Sequence, residues 1–237
     1  MFAMLSKLRF VQRQRRRAEK HRVRAGIRSS ASAEEAFNLI YKANYWGNKE
    51  SASGNGSTLE STAVLRAELE PLLRALNVKT LFDAPCGDFN WMRHVAFPEG
   101  MTYIGADIVK QMIDQVAREY GDERRRFVVM DIIAENHPRS DLWLCRDGLF
   151  HFSFADIIKT LTKFVESGSA RCLLTTHRRV RANADIKTGF QREINLLEPP
   201  FCLCEADAYL QDAPTKENAR VLGLWRREQI AAALGAR

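Results

Sequence analysis

The sequence predicts an α/β protein built on a doubly wound, largely parallel sheet. Apolar runs of strand length alternate with segments of helical periodicity over most of the chain. Three of these runs end in an aspartate, at Asp83, Asp107 and Asp131, and successive aspartates lie 24 residues apart, which is typical of βα units. Directly after Asp83 the chain enters a tight Pro-Cys-Gly turn, which places backbone N–H groups at the carboxyl edge of the sheet.

The core is predicted to span 77–237 and to contain seven strands and four helices. The strands are expected at 79–84, 102–106, 126–131, 141–145, 171–176, 201–205 and 219–225. The helices are expected at 90–96, 109–120, 154–166 and 226–234. We find no internal repeat, so the pattern indicates one domain.

The segment 31–76 is predicted to hold two helices and a lid loop. A helix at 33–43 has Ser32 as its N-cap, and the polar, Gly/Ser-rich stretch 45–57 reads as a mobile loop. Its part from Glu50 to Ser57 has two interpretations, a lid that closes over the cofactor and a flexible linker. Ser57 and Glu60 have capping-box spacing, which predicts that the second helix starts there and runs to about residue 76.

Composition restricts the class of protein. The 237 residues are 46% hydrophobic, which is typical of a globular chain, and no apolar run reaches the ~18–20 residues of a membrane span. The five cysteines form no zinc-ligand spacing, so we expect no metal site. Their odd number favours a reducing cytoplasm over a disulfide framework.

The net charge of +7 is concentrated in a basic tail at 1–30. Residues 1–28 carry ten Lys or Arg and one Glu, so the rest of the chain is slightly acidic. Four interpretations stay open: a solvated and partly frayed helix, a peripheral membrane contact, a nucleic-acid contact and a mitochondrial presequence. The first three are compatible with a cytoplasmic protein.

The turn after Asp83 indicates which cofactor this edge would bind. A dinucleotide site normally has the pattern G-x-G-x-x-G, but here Gly87 stands alone and Phe89 is expected to crowd a pyrophosphate. A cofactor without phosphate fits better. S-adenosylmethionine (SAM) offers a ribose and a base to the three strand-end acids and a methionine tail to the turn.

These residues resemble class I SAM-dependent methyltransferases. The likeness covers about 41–225 and is greatest for a bacterial branch with the motif Asp-Ala-Pro-Cys-Gly-Asp-Phe-Asn-Trp-Met at 83–92, whose members mostly lack an assigned substrate. The resemblance implies a seven-stranded, mostly parallel Rossmann-like sheet with an antiparallel edge. It also implies SAM contacts along the motif, a ribose site and an adenine site. The implied contacts are Asp83, Ala84, Pro85, Cys86, Gly87 and Asp88, then Asp107 with Ile108 for the ribose, and Asp131 with Ile132 for the adenine.

Aromatic side chains are candidates for the methionine end of the cofactor. Trp46 and Trp91 are expected to surround it together with Asn90. An aromatic face near a sulfonium gains cation–π stabilisation. Ordinary core packing of the two tryptophans is the alternative. Arg146 is a further candidate for the cofactor carboxylate or for a polar substrate.

Catalytic candidates follow the fourth predicted strand. Arg146, Asp147 and His151 lie where the family fold faces the methyl group, and Asp147 is expected to orient the His151 imidazole as a general base. The alternative is that His151 packs behind the sheet and that Arg146 and Asp147 form a structural ion pair.

The acceptor pocket is predicted in the polar segment after the fifth strand. Its candidate lining residues are Asn183, Asp185, Gln191, Arg192 and Asn195. Hydrogen-bonding groups of this kind suit a hydroxyl of a small polar molecule or a glycan. Two other functions remain: a nicotinamide-dependent oxidoreductase, and a non-catalytic nucleic-acid or membrane-binding module with a vestigial cofactor site.

Overall fold

The structure, a computed structural model, describes residues 2–212 and 220–235, with side chains from Arg13 onward. Seven strands form one sheet in the order β3-β2-β1-β4-β5-β7-β6. The strands are β1 Thr80–Asp83, β2 Thr102–Asp107, β3 Arg125–Val129, β4 Leu142–Cys145, β5 Cys172–His177, β6 Ala208–Gln211 and β7 Val221–Arg226. The first five are parallel, and β7 is antiparallel to both β5 and β6. The doubly wound fold predicted from the sequence is therefore confirmed.

Six α-helices accompany the sheet within the described residues. They are α1 Phe2–Ser29, α2 Ala33–Lys42, α3 Ala63–Ala75, α4 Lys110–Tyr120, α5 Phe154–Ser167 and α6 Arg227–Gly235. Short 3₁₀ turns occur at Asn55–Ser57, Met92–His94 and Leu149–His151. None of the described helices is both long enough and apolar enough to cross a bilayer.

Both faces of the sheet are buried, which explains the continuous apolar runs of its central strands. One face packs against α3 and α4 through side chains such as Leu69 and Ile113. The other packs against α5 and α6 through Leu161 and Ile230. The carboxyl ends of the parallel strands consequently meet at one edge, between two helical layers.

The N-terminal helices attach to the core as a small separate layer. Val23 and Ile27 of α1 pack against Ala36 and Ile40 of α2. The Ser32 hydroxyl accepts a hydrogen bond from the Glu35 N–H at 3.1 Å and so caps α2 as expected.

Three expected elements differ in the structure. The predicted strand at 201–205 is wrong: the segment is irregular, with Cys202 at φ 53°, and the edge strand is β6 instead. Phe201 and Leu203 are nevertheless buried, so the apolar pattern reflected core packing rather than a strand. The predicted helix at 90–96 is only the 3₁₀ turn Met92–His94. Residue 219 of the predicted seventh strand lies outside the described residues.

The expected capping box at Ser57 and Glu60 is also wrong. Helix α3 begins at Ala63, and its N-cap Thr62 makes no side-chain capping bond. The residues before it are held by other groups, because the Ser57 carbonyl accepts from the Asn90 amide and the Leu59 N–H donates to Glu50.

Candidate functional site

A cavity of about 550 Å³ opens at the carboxyl edge of the parallel strands. Its size lies in the range of small-molecule sites. The lining comes from the strand ends, from the loop at 52–57 and from the segment after β5. Of the residues predicted for the site, the cavity is lined by Trp46, Asp83, Pro85, Cys86, Gly87, Trp91, Asp107, Ile108, Asp131, Ile132, Arg146, Asp147, His151, Gln191 and Arg192.

The end of β1 contributes a buried carboxyl and a glycine turn. The Tyr103 hydroxyl donates to Asp83 Oδ2 at 2.6 Å, and burial raises the pKa of Asp83 to about 7. Ala84 was expected to contact the cofactor but does not line the cavity, and its carbonyl accepts from the Trp143 indole at 3.0 Å. Gly87 has φ 59°, a left-handed conformation that costs a glycine little.

The end of β2 fixes that turn. Asp107 Oδ2 accepts from the Gly87 N–H at 3.2 Å, while Oδ1 accepts from the Val109 N–H at 3.0 Å. Burial raises the pKa of Asp107 to about 6, because these two hydrogen bonds offset only part of the desolvation. One carboxyl thus joins two neighbouring βα turns.

The third strand-end acid completes the row. Asp131 follows β3, and its Oδ1 accepts from the Ile133 N–H at 2.9 Å. Ile132 and Met130 add apolar surface on either side of it. The structure therefore brings Asp83, Asp107 and Asp131 to one cavity.

Asp88 has a different position from the one expected. It does not line the cavity; its carboxylate accepts from the Ser51 hydroxyl at 3.0 Å and from the Ala52 N–H at 2.7 Å. The Ser53 hydroxyl in turn accepts from the Asp88 N–H at 3.2 Å. Asp88 therefore fastens the loop at 51–57 over Gly87, and the sequence offered no signal for this because the partners lie about 36 residues apart.

The loop has further fixed contacts, which disagree with the flexible-linker interpretation. Asn90 was expected near the cofactor, but its amide donates to Glu50 at 2.9 Å and to the Ser57 carbonyl at 3.0 Å. A methyl group added at Gly87 would lie 2.2 Å from the Ser53 hydroxyl. The loop therefore sits directly on the turn, as a closed lid would.

Phe89 points away from the cavity. Its ring packs in the core, 5.0 Å from both Tyr103 and Phe127. The expectation that Phe89 crowds a pyrophosphate is therefore wrong, because the left-handed backbone at φ 59° turns the side chain inward.

Two arginines and two aspartates form a buried ion cluster beside the cavity, comprising Arg146, Asp147, Asp212 and Arg220. Arg146 Nη2 lies 3.0 Å from Asp212 Oδ1, and Arg220 Nη1 lies 3.1 Å from Asp147 Oδ2. The side chain of Asp212 is 0% exposed and that of Arg146 is 3% exposed. The cluster joins the end of β4 to the β6–β7 hairpin.

Arg146 is held by this cluster. Its Nη2 also donates to the Gly56 carbonyl of the loop at 51–57 at 2.7 Å, and its guanidinium lies 5.2 Å from the Trp91 ring. Burial lowers its pKa, but the charges of Asp147 and Asp212 raise the pKa further, so Arg146 stays charged. These contacts favour a structural ion pair over the expected carboxylate or substrate contact. The sequence did not indicate Asp212 and Arg220 as partners of Arg146, because they lie far from it along the chain; Asp212 is 66 positions away.

Asp147 and His151 do not form the expected hydrogen-bonded pair. The Asp147 carboxylate pairs with Arg146 and Arg220 and accepts a hydrogen bond from the Thr176 hydroxyl. Burial raises its pKa, but the two arginines outweigh this and hold the pKa of Asp147 below its ordinary value.

His151 is oriented by a carbonyl instead. Its Nδ1 lies 2.8 Å from the Phe190 carbonyl oxygen, so Nδ1 carries the proton and Nε2 is the basic nitrogen of the neutral ring. Burial lowers the pKa of His151 from its usual value. The imidazole lines the cavity at 5.5 Å from the Trp46 ring, so the alternative interpretation, that His151 packs behind the sheet, is wrong.

The acceptor segment is only partly as predicted. Gln191 and Arg192 line the cavity. Asn183 and Asn195 instead fasten the backbone between 180 and 199, and Asp185 accepts from the Phe154 N–H at the start of α5. The Arg192 guanidinium donates to the carbonyls of Leu149 and Phe152. Thr176, Arg178 and Glu193 are lining residues that the sequence did not single out.

The fold can be compared with known proteins. No family model matches the chain, and no curated protein matches its sequence. Solved structures of methyltransferases do match. The chain has the Rossmann-like methyltransferase fold.

Three such structures represent the likeness. Human N-acetylserotonin methyltransferase in complex with SAM superposes with a TM-score of 0.56 at 13% identity, covering 83% of this chain and 60% of that chain. Magnesium protoporphyrin IX methyltransferase from Synechocystis PCC 6803 with bound SAM gives 0.54 at 14% identity, covering 84% and 99%. The methyltransferase domain of bacterial CtHen1-CN gives 0.52 at 11% identity, covering 70% and 98%.

The residues at this edge of the methyltransferase fold fit SAM chemically. Asp107 and Asp131, which follow the glycine turn in sequence, present carboxylate oxygens suited to hydroxyl and amino donors. Ile108 and Ile132 offer apolar surface for a base. No cluster of potential metal ligands occurs among the described residues.

Proposed function

We propose that this protein transfers a methyl group from SAM to a hydroxyl of a polar acceptor, a small molecule or a glycan. The observation that carries the proposal is the row of Asp83, Asp107 and Asp131 along one cavity of a methyltransferase fold. Three buried or half-buried acids at neighbouring strand ends cost free energy, so a ligand with matching donors is a physical reason for their presence.

Each part of the cavity has a proposed role toward the cofactor. Asp107 accepts hydrogen bonds from the ribose hydroxyls, and Asp131 with Ile132 holds the adenine. Asp83 and the turn at Pro85–Gly87 face the methionine portion. Trp46 and Trp91 line the cavity near His151 and Arg146, where an aromatic face would stabilise a positively charged sulfur.

His151 is the proposed general base. When bound, SAM supplies a methyl group on a sulfonium, and its transfer to a hydroxyl releases S-adenosylhomocysteine and one proton. Nε2 of His151 takes up this proton, because Nδ1 already bonds the Phe190 carbonyl. The depressed pKa keeps the ring neutral and ready to accept a proton at neutral pH.

Calorimetric titration with SAM, S-adenosylhomocysteine and NADH tests the cofactor. Micromolar affinity for the first two, with none for NADH, is the expected result. Binding of NADH alone would instead favour a nicotinamide-dependent oxidoreductase. Absence of binding by all three would refute the methyltransferase and leave a module with a vestigial site.

The Asp107→Ala variant tests the ribose contact. Loss of a charged acceptor costs about 1.5–3 kcal/mol, so SAM affinity should fall by about 10- to 100-fold. Because Asp107 also holds the Gly87 turn, Asp107→Asn is measured alongside to preserve shape. Asp114→Ala on α4, whose carboxylate bonds the exposed Lys110, is the matched control and should bind SAM normally. Unchanged affinity in both Asp107 variants would contradict the assignment.

A further inference from the structure

Helix α1 carries a basic stripe along one face. Its members recur at intervals of four, three, four and four residues, which places them on the same side of a helix with about one cation per 5.4 Å turn. The basic stripe consists of Arg13, Arg17, Lys20, Arg24 and Arg28. All five are exposed, and within the described residues none of them forms a salt bridge. Unneutralised charges at this spacing attract a chain of negative charges.

Four members of the basic stripe line an open groove. Arg17, Lys20, His21, Arg24 and Arg28 line this groove together with Tyr45 of the loop after α2. The Lys20 ammonium lies 5.5 Å from the centre of the Tyr45 ring. A polyanion in the groove would contact several cations at once.

Adjacent residues line the groove and the cavity. Tyr45 lines the groove, and the next residue, Trp46, lines the cavity beside His151. On the other side, the Arg24 guanidinium lies 5.6 Å from the Phe190 ring, and the Phe190 carbonyl bonds His151. Through Arg24, the basic stripe thus contacts the residue whose carbonyl orients the proposed base.

We propose that the groove binds the acidic portion of a glycan acceptor whose reactive hydroxyl enters the cavity at His151. This inference rests on the proposed function, and it assigns the acceptor class as an anionic oligosaccharide. Carboxylate, phosphate or sulfate groups on the sugar chain would pair with the basic stripe, while Gln191 and Glu193 offer hydrogen bonds to sugar hydroxyls at the cavity.

Two other polyanions fit the described surface less well. Single-stranded nucleic acid binds by stacking bases on open aromatic rings, but the Tyr45 and Phe190 rings are each covered by a cation of the basic stripe. A membrane-surface helix exposes apolar side chains, but between Arg13 and Ser29 the large apolar residues Val23 and Ile27 are buried against α2.

The test uses the full-length protein and a fluorescent oligogalacturonide, a chain of sugar carboxylates. Its affinity is measured by anisotropy at low and at physiological ionic strength. A neutral dextran oligomer, a single-stranded RNA of equal charge, and vesicles of phosphatidylglycerol with phosphatidylcholine are measured in parallel. The groove variant is Arg17→Gln with Lys20→Gln. The matched control is Arg15→Gln with Arg22→Gln, which removes the same charge from the opposite face of α1.

The wild type should bind the oligogalacturonide and show no binding of dextran. The groove variant should lose about tenfold or more in affinity and show a weaker salt dependence, while the control should change by less than about twofold. Because Trp46 lines the cavity and directly follows Tyr45 of the groove, binding should quench tryptophan fluorescence in the wild type and less in Trp46→Phe. Equal losses in both double variants would overturn the proposal, as would binding of RNA or vesicles without the oligosaccharide.

Calorimetry with SAM separates this inference from the proposed function. Neither double variant touches the cavity, so both should retain wild-type SAM affinity. SAM binding without oligosaccharide binding would refute only the acceptor class. A wild type that binds oligosaccharide but not SAM would refute the methyltransferase while leaving a glycan-binding groove.

Discussion

Replacing Asp212 with asparagine should destabilise the protein strongly, because it removes one charge from the buried ion cluster. Asp212 accepts three hydrogen bonds from the Arg146 guanidinium and lies 3.1 Å from Arg220 Nε. In Asp212→Asn, two arginines would share the single remaining carboxylate of Asp147. The shape of the side chain is preserved, so the effect reports charge rather than packing.

The magnitude follows from burial. Asp212 is 0% exposed, and removing one partner from a buried pair costs about 3–5 kcal/mol. Because asparagine keeps one oxygen for Arg146, we expect the lower end, about 3 kcal/mol. For a chain of this size each kcal/mol lowers Tm by about 2–4 °C, so the expected loss is about 6–12 °C.

Thermal and urea unfolding of Asp212→Asn measure this loss, and Asp207→Asn is the matched control. Asp207 also pairs with an arginine, Arg226, but both side chains are well exposed, at 39% and 56%. Such a pair contributes less than about 1 kcal/mol. If Asp212→Asn lowered Tm no more than Asp207→Asn, Asp212 would not be ionised in the folded protein, and the ion cluster would not stabilise the fold through charge.

Three further predictions concern titration and catalysis. The raised pKa of Asp83, about 7, means that the folded protein keeps a proton that the unfolded chain loses near pH 4. Its contribution to stability should therefore fall as pH rises from about 4 to 7, by at most ~1.4 kcal/mol per pH unit, and urea titrations should show a flatter profile for Asp83→Asn. Because the pKa of His151 is lowered, the rate of methyl transfer should be constant near neutral pH and should decline only at acidic pH, below the ordinary histidine pKa. His151→Gln should reduce kcat by ~100-fold or more and abolish that decline; an unaltered pH–rate profile would exclude His151 as the base. Asp147→Asn should leave SAM affinity unchanged in calorimetry but slow transfer, since the Asp147 charge acts on His151; full activity would show that transfer does not need this charge.

Much of the candidate site could be predicted from the sequence because it depends on strand ends. Asp83, Asp107 and Asp131 each follow an apolar run, and the carboxyl ends of parallel strands meet at one edge of the sheet. Once the strands are recognised, their convergence needs no knowledge of side-chain packing. The same reasoning located His151 beyond β4.

The errors arose where a local sequence pattern has two explanations. Phe201 and Leu203 alternate like a strand, but they fill the core from an irregular segment, and burial alone produces the same pattern. Ser57 and Glu60 have the spacing of a capping box, but contacts with Asn90 and Glu50 fix that stretch before a helix can begin. Local propensity gave way to tertiary contacts in both cases.

The sequence by itself determined the fold class, the row of strand-end acids and the concentration of positive charge in α1. Only the tertiary structure decided which partner each polar side chain takes. Asp88 binds the loop at 51–57, Arg146 pairs with Asp212, and His151 bonds the carbonyl of Phe190. Periodicity depends on neighbours along the chain, whereas these bonds join residues about 36 to 66 positions apart, and the strand order brings them together.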